Sequence, residues 1–140
     1  MRRAAVLFIS LVVLMQVCVR AQSGLIMIVH PGVKLNAISR SDLRNIFVGE
    51  SVTLKDGTHA IPVLQKEHTA HEEFLQEYIG KSDIAYRAGW RSLVFIGHAS
   101  MPRSLEPESA IVDYVAHTPG TIAYIRRETP HAGVKVLLVQ

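Results

Sequence analysis

The sequence contains very little cysteine. Its single cysteine, Cys18, lies in an apolar segment near the N-terminus, so no disulfide bond can form within the chain. Residues 22–140 are long enough for one domain, and a domain of that size can be stabilised by its hydrophobic core alone. We therefore expect one domain that needs no covalent cross-link.

The sequence also lacks the patterns of common catalytic sites. There is no Gly-x-Ser-x-Gly turn, no glycine-rich phosphate loop and no convincing pair of acid and base carboxylates. His68 and His71 are three residues apart beside Glu72, but this spacing is not that of a zinc-protease helix and further ligands are lacking. We interpret both histidines as solvated residues at a helix start. The sequence predicts a protein that is not an enzyme and holds no metal or cofactor.

The first 21 residues have the composition of an export signal. Arg2 and Arg3 form a positive start, residues 4–19 are mostly apolar, and Ala21 is a small residue suited to cleavage before Gln22. The apolar run is shorter than the roughly 20 residues of a membrane-spanning helix. We predict a cleaved signal peptide over residues 1–21, a mature domain over residues 22–140, and a periplasmic location.

Removal of this signal changes the charge of the protein. The whole sequence has 15 Lys and Arg against 12 Asp and Glu. Three of the basic residues, Arg2, Arg3 and Arg20, belong to the predicted signal, which leaves 12 of each sign. A concentrated basic surface is not expected, so the sequence does not predict nucleic-acid binding.

The clearest helix pattern covers residues 40–48. Ser39 suits the N-cap, Asp42 suits the positive end of the helix, and Gly49 suits the left-handed residue that follows a helix. The apolar residues recur at helical spacing and predict one buried face. These residues are Leu43, Ile46 and Phe47.

Helix-capping and helix-breaking residues predict three further helices. A Thr69-x-x-Glu72 capping box opens the second helix, Ser82 caps the third, and Pro107 suits the first residue of the fourth. We expect the third helix to bury Tyr86, Trp90, Leu93 and Val94. We interpret Arg87, Arg91 and Arg126 as solvated, and Glu73 and Glu108 as exposed helix residues.

Apolar runs predict four strands, at Leu25–Val29, residues 60–64, Thr121–Arg126 and residues 134–139. Pro62 lacks a backbone N–H, so we expect its strand to be an edge or irregular strand. Residues 97–104 are expected to form a loop. Strands that alternate with helices predict an α/β domain with a small mixed sheet flanked by about four helices.

Three segments together resemble a known family. They read S-R-S-D-L-R-N-I-F-V-G (39–49), K-D-G-T-H-A-I-P-V (55–63) and V-A-H-T-P-G-T-I-A-Y-I (115–125). Their order and content resemble phosphate ABC transporter substrate-binding proteins and their small single-domain relatives. The resemblance implies that residues 22–140 form a single lobe of a type 2 periplasmic binding protein, with a membrane transporter as a partner.

The resemblance also implies a ligand, which is phosphate or another small oxyanion held at helix N-termini. Free N–H groups and the positive dipole end make such termini suitable for anions. The candidate ligand-binding residues are Ser39, Arg40, Ser41 and Thr69. Thr69 lies near the family's Ser-Gly-Thr run, whereas Gln65 stands near the position of its arginine.

A second interpretation remains open. The lobe could be a ligand-free periplasmic partner of a membrane sensor, a transporter or an envelope protein. The two interpretations predict different surfaces, because a polar, hydroxyl-lined cleft suits a bound anion and a large exposed apolar patch suits a partner.

Overall fold

The computed structural model describes residues 24–140, which form six strands and four helices. The strands are β1 Leu25–Val29, β2 Ala37–Ile38, β3 Ile61–Gln65, β4 Arg103–Leu105, β5 Thr121–Arg126 and β6 Lys135–Val139. The helices are α1 Arg40–Phe47, α2 His68–Phe74, α3 Asp83–Phe95 and α4 Glu108–His117, and α2 continues as a π-helical turn over Leu75–Ile79. The predicted signal peptide lies outside the described residues.

The central part of the sheet is built around β1. Every residue of β1 is apolar and buried, as expected for a strand covered on both faces. β1 is antiparallel to β5 and β6, while the remaining neighbours pair in parallel. The strand order is β2-β6-β1-β5-β3-β4. This mixed sheet with four helices confirms the predicted α/β fold.

Helices cover both faces of the sheet because side chains alternate along each strand. Met27 and Val29 face a core cluster formed with α1, α2 and α3. Ile26 and Ile28 face a second cluster, formed with α4. None of the helices in residues 24–140 is both long and apolar enough to cross a membrane.

The sequence signals around α1 are confirmed. Ser39 Oγ accepts a hydrogen bond from the Asp42 backbone N–H at 3.1 Å. Gly49 follows the helix with a φ of 81°, in the left-handed region that a glycine adopts without strain. The predicted apolar face, Leu43, Ile46 and Phe47, is buried.

The C-terminal end of α1 holds α3 in place. The hydroxyl of Tyr86 and the indole Nε1 of Trp90 both donate to the Phe47 carbonyl oxygen, at 2.5 Å and 3.0 Å. Both rings are buried, as predicted. Leu93 is half-buried against the same core cluster. Val94 is exposed instead of buried, because it lies at the margin of the inward face that Tyr86, Trp90 and Leu93 define.

Two predictions about strands are wrong. β3, which contains Pro62, is an internal strand between β5 and β4. The Ile61 N–H donates to Gly120 O on the β5 side, so the Pro62 nitrogen faces the other side, where pairing with β4 begins only at Val63. The predicted loop over residues 97–104 contains the start of β4, a three-residue edge strand too short to show alternation.

Pro107 precedes α4 instead of beginning it. The helix starts at Glu108, and Pro107 occupies the N-cap position with extended backbone geometry. The difference is a single residue, and the inward residues Ile111 and Val115 are fully buried.

A buried polar chain connects α2, α3 and β5 through His71. The Nδ1 atom of His71 lies 2.6 Å from the Tyr124 hydroxyl, and its Nε2 atom lies 2.8 Å from Asp83 Oδ1. Arg87 Nε lies 2.9 Å from Asp83 Oδ2. The prediction that His71 is solvated is therefore wrong. Arg87 is partly exposed, as predicted, but it also pairs with Asp83. Helical periodicity turns His71 toward β5, where Tyr124 provides a polar partner.

The contacts of Asp83 alter its pKa. Burial acts to raise the pKa, but the hydrogen bonds from Arg87 and His71 and their positive charges outweigh it, so the pKa lies below the usual value of 3.8. The ionised form of Asp83 is thus favoured in the folded state. The stabilisation by ionised Asp83 is complete at pH values above the pKa that Asp83 has in the unfolded chain. It is lost as the pH falls through the lower pKa that Asp83 has in the folded protein.

We expect Asp83→Asn to lower the free energy of unfolding by about 1–2 kcal/mol near neutral pH, because it removes a charged partner of His71 and Arg87. The difference from the wild type should shrink as the pH falls below about 4, where Asp83 becomes protonated. Urea unfolding at a series of pH values measures both effects. Asp113→Asn is the matched control, since Asp113 is exposed and its ion pair should contribute little. A difference that persists unchanged at low pH would contradict this assignment.

Gly120 and Gly57 allow a second test of the fold. Both have positive φ, at 80° and 87°, but a Cβ atom at Gly120 would overlap the His59 carbonyl oxygen, whereas at Gly57 it would meet open space. We expect Gly120→Ala to cost about 1–3 kcal/mol more in unfolding free energy than Gly57→Ala, because backbone atoms cannot easily move aside. Urea unfolding of the two variants measures this difference. Equal losses would show that His59 does not restrict this turn.

Candidate functional site

Three helix N-termini lie along one edge of the sheet. The strands β2, β3 and β4 run in the same direction and lead into α1, α2 and α4 at their carboxyl ends. β5 also ends at this edge, with Arg126 as its last residue. In open α/β sheets, the carboxyl edge of the parallel strands is the usual place for a ligand.

A cavity of about 220 Å³ with a mixed polar and apolar lining lies beside α1. The Lys55 ammonium at its wall is 3.2 Å from Asp42 Oδ2. The hydrogen bond from Ser39, followed by that from Lys55, lowers the pKa of Asp42 below its usual value, so this carboxylate is ionised at neutral pH. The polar lining residues are Ser39, Asp42, Asn45, Ser51, Thr53, Lys55 and Gln140, and the apolar ones are Leu35, Ala37, Ile38, Ile46 and Leu54.

Arg40 and Ser41, predicted to act with Ser39, have different surroundings. Arg40 forms an ion pair with Glu77 at 2.6 Å and donates to the Glu77 carbonyl oxygen at 2.9 Å. Its guanidinium also lies over the Tyr78 ring, 4.9 Å from the ring centroid. Ser41 is exposed in the first turn of α1. Of these three residues, only Ser39 lines the cavity.

The N-terminus of α2 differs from the prediction. The N-cap is Glu67, whose carboxylate accepts hydrogen bonds from the Thr69 N–H at 3.1 Å and the Ala70 N–H at 2.7 Å. These bonds, that from Ala70 first, lower the pKa of Glu67. The predicted Thr69-x-x-Glu72 capping box is therefore wrong, and Thr69 is an exposed residue inside the helix.

The four predicted ligand-binding residues do not form one group in this structure. Arg40 contacts Glu77, which follows Thr69 by eight residues along the same helix. Eight helical residues correspond to roughly 10 Å along the axis. Ser39, Arg40 and Ser41 therefore lie near the end of this helix that is opposite to Thr69.

Sequence reasoning missed a polar network at the middle of the carboxyl edge. Arg126 forms an ion pair with Glu73 at 2.6 Å, and this contact raises the pKa of Arg126. The Glu108 carboxylate accepts from the Arg126 backbone N–H at 3.0 Å, from Gln65 Nε2 at 2.9 Å and from the Thr129 hydroxyl.

The predictions that Arg126 is solvated and that Glu73 and Glu108 are merely exposed are thus wrong. Each of these residues finds its partner on another element, and no local pattern in the sequence signals such a pair. Glu108 also stands in the first turn of α4, where a carboxylate is favoured by the helix dipole.

The electrostatics of this edge are mixed. The amides at the start of α2 are occupied by Glu67, and Glu108 lies at the start of α4. The cavity beside α1 combines hydroxyl groups with one ammonium and one carboxylate. In residues 24–140, no group of three or more His, Cys, Asp and Glu residues is arranged to hold a metal ion.

Comparison with known proteins gives similarity at the level of structure. No family model matches the sequence, and no curated protein matches it. A structure from Clostridium perfringens, assigned as a phosphate ABC transporter substrate-binding protein with bound phosphate, superimposes with a TM-score of 0.65 at 13% identity. An ABC-type phosphate transport receptor from Vibrio cholerae gives 0.56 at 14% identity, and PstS from Borrelia burgdorferi gives 0.62 at 17% identity.

These matches cover 83% of this chain but only 44%, 46% and 47% of the three solved chains. The chain thus spans less than half the length of the proteins that it resembles. The similarity confirms, at the level of fold, the resemblance seen in the three sequence segments. The described residues have the mixed α/β fold of a single lobe of a periplasmic binding protein, as found in structures of phosphate ABC transporter substrate-binding proteins.

Proposed function

We propose that this chain is an exported, non-enzymatic solute-binding-like protein that binds phosphate or another small oxyanion beside the N-terminus of α1. The observation that carries this proposal is the cavity at Ser39, where hydroxyl groups from three residues lie with the Lys55 ammonium. The fold shared with phosphate-binding proteins supports the same class of ligand.

The chemistry of the cavity suits a small anion. A helix N-terminus offers positive potential, hydroxyl groups donate hydrogen bonds, and an ammonium group supplies a full positive charge. Asp42 opposes an anion, so a bound oxyanion must compete with it for Lys55. A single lobe also buries a ligand on one side only, and we therefore expect modest affinity.

Thr69 has a smaller role in this proposal than in the sequence prediction. The amides at the start of α2 already bind the Glu67 carboxylate. An anion would reach Thr69 only after Glu67 had turned away. Arg40 and Ser41 lie outside the cavity. Arg40 is already paired with Glu77, so an anion would engage it only in competition with that carboxylate.

The biological setting is part of the proposal. Residues 1–21 have the pattern of a cleaved signal, and the proteins of similar fold include ABC transport proteins. We therefore propose a periplasmic domain beginning at Gln22, with a membrane transporter as its partner.

A second candidate function is that of a ligand-free partner of a membrane sensor, a transporter or an envelope protein. The observation that favours it is the position of Glu67 and Glu108, because carboxylates at the start of α2 and α4 leave less positive potential for an anion. Binding measurements with defined anions separate the two candidates.

We expect calorimetric titration of residues 22–140 with phosphate to give saturable heat. These residues contain the described sheet and both core clusters. Lys55→Ala should weaken binding at least about tenfold, since it removes the ammonium group of the cavity. Lys81→Ala is the matched control, because Lys81 is exposed and lies outside the cavity. Sulfate, titrated in the same way, measures the selectivity.

Three outcomes of this titration are informative. Loss of heat in Lys55→Ala but not in Thr69→Ala would place the anion beside α1. The reverse pattern would place it at α2. Absence of heat with both phosphate and sulfate, from folded protein at high concentration, would contradict oxyanion binding and favour the second candidate.

The export proposal has its own test. The full chain, expressed in a Gram-negative host, should be recovered from the periplasm with Gln22 as its first residue. Cell fractionation and N-terminal sequencing measure this result. A positive charge inserted into the apolar run, as in Leu11→Arg, should keep the chain unprocessed in the cytoplasm. Retention of residues 1–21 on the wild-type protein would show that the segment is not a cleaved signal.

A further inference from the structure

The outward side of α3 exposes large apolar side chains that nothing in residues 24–140 covers. Ile84 is 80% exposed, Phe95 is 91% exposed and Ile96, directly after the helix, is 71% exposed. Val94 and Met101 add further exposed apolar surface. We call these residues, together with Arg87 and Arg91, the α3 outer face. Exposed apolar surface of this kind commonly marks a site of interaction.

Helix geometry places three members of the α3 outer face on one side of the helix. Ile84, Arg91 and Phe95 are spaced by seven and four residues, so they share one stripe of the helix. The opposite side carries Tyr86 and Trp90, which both donate to the Phe47 carbonyl oxygen. α3 cannot rotate to bury Phe95 without breaking these two hydrogen bonds. The exposure of the outer face is therefore fixed by the anchors on the inner face.

The α3 outer face is also basic. Arg87 and Arg91 lie on this face and Lys81 precedes its helix, while Asp83 is the single carboxylate of residues 81–101. Arg87 pairs with Asp83 at 2.9 Å, so the excess positive charge comes from Arg91 and Lys81. Arg87 and Arg91 line one shallow depression together with Val94, Phe95 and Met101, so guanidinium groups and apolar side chains share a surface.

Charge limits the possible occupants of this surface. A two-fold symmetric contact through this face would bring Arg91 of one protomer close to the same residue of its partner. The repulsion between like charges disfavours that arrangement. The complementary surface is therefore anionic and able to accept protruding apolar side chains.

We propose that the α3 outer face binds an anionic lipid bilayer. Basic residues beside exposed Phe and Ile side chains are the composition of an interfacial membrane-binding surface. Ile84 and Phe95 lie about 16 Å apart along the helix axis. Fluid lipid can fill the space around each of them, whereas a protein partner would need two matching pockets at that separation. This surface shares no residue with the α1 cavity, so membrane binding does not depend on the proposed anion site.

Vesicle co-sedimentation tests the proposal with the chain from Gln22 onward. The vesicles contain either phosphatidylcholine alone or equal parts of phosphatidylcholine and phosphatidylglycerol. The wild type should bind the anionic vesicles and release them as salt is added. Phe95→Ser combined with Ile96→Ser should reduce the bound fraction about fivefold or more, and Arg91→Glu should do the same.

The matched control is Leu138→Ser. Leu138 is 64% exposed on β6, away from α3, and its replacement removes a similar apolar side chain. This control should bind as the wild type does, and circular dichroism should show the same fold for all variants. Equal binding to neutral and anionic vesicles would overturn the role of charge. The proposal as a whole is overturned if the wild type fails to bind anionic vesicles, or if it forms a dimer that Phe95→Ser abolishes.

Discussion

The packing of the helices on the sheet depends above all on the contacts of one buried side chain, Tyr124. Its ring stacks on Phe74 with 3.9 Å between centroids and lies 6.0 Å from Phe47, which joins β5 to α2 and α1. Its hydroxyl accepts from the Gln65 backbone N–H at 3.1 Å and contacts His71 at 2.6 Å. One side chain in the sheet thereby contacts β3, α1 and α2. His71 in turn links Tyr124 to α3 through its hydrogen bond with Asp83.

Features set by neighbouring residues could be predicted from the sequence. Ser39 as a cap, Gly49 as a stop and the continuous burial of β1 each depend on a few adjacent positions. The resemblance carried by three short segments also gave the correct fold. The wrong predictions share a different cause, which is that the folded backbone overrides local residue preference. Thr69 fits a cap better than Glu67 by residue type, and only the folded backbone shows that the Glu67 carboxylate reaches the free amides.

The candidate site was harder to predict, because its charged residues pair with residues that are distant in the sequence. Arg126 meets Glu73 across 53 positions, and Arg40 meets Glu77 across 37. A sequence pattern identifies such residues as charged but does not show whether the charge is free for a ligand. Lys55, outside every predicted helix and strand, is the basic group placed beside the cavity. The match covers less than half of each solved chain with this fold, so the α1 cavity and the α3 outer face are both features of a single lobe.

The hydrogen bond from Trp90 to the Phe47 carbonyl oxygen has a practical consequence. Trp90 is the only tryptophan of the chain, and its indole lies in the contact that holds α3 against α1. Indole emission is sensitive to the polarity around the ring and to the partner of its N–H group. The chain therefore carries an intrinsic optical probe at the attachment point of α3, and loosening of this helix can be followed in solution without any attached label.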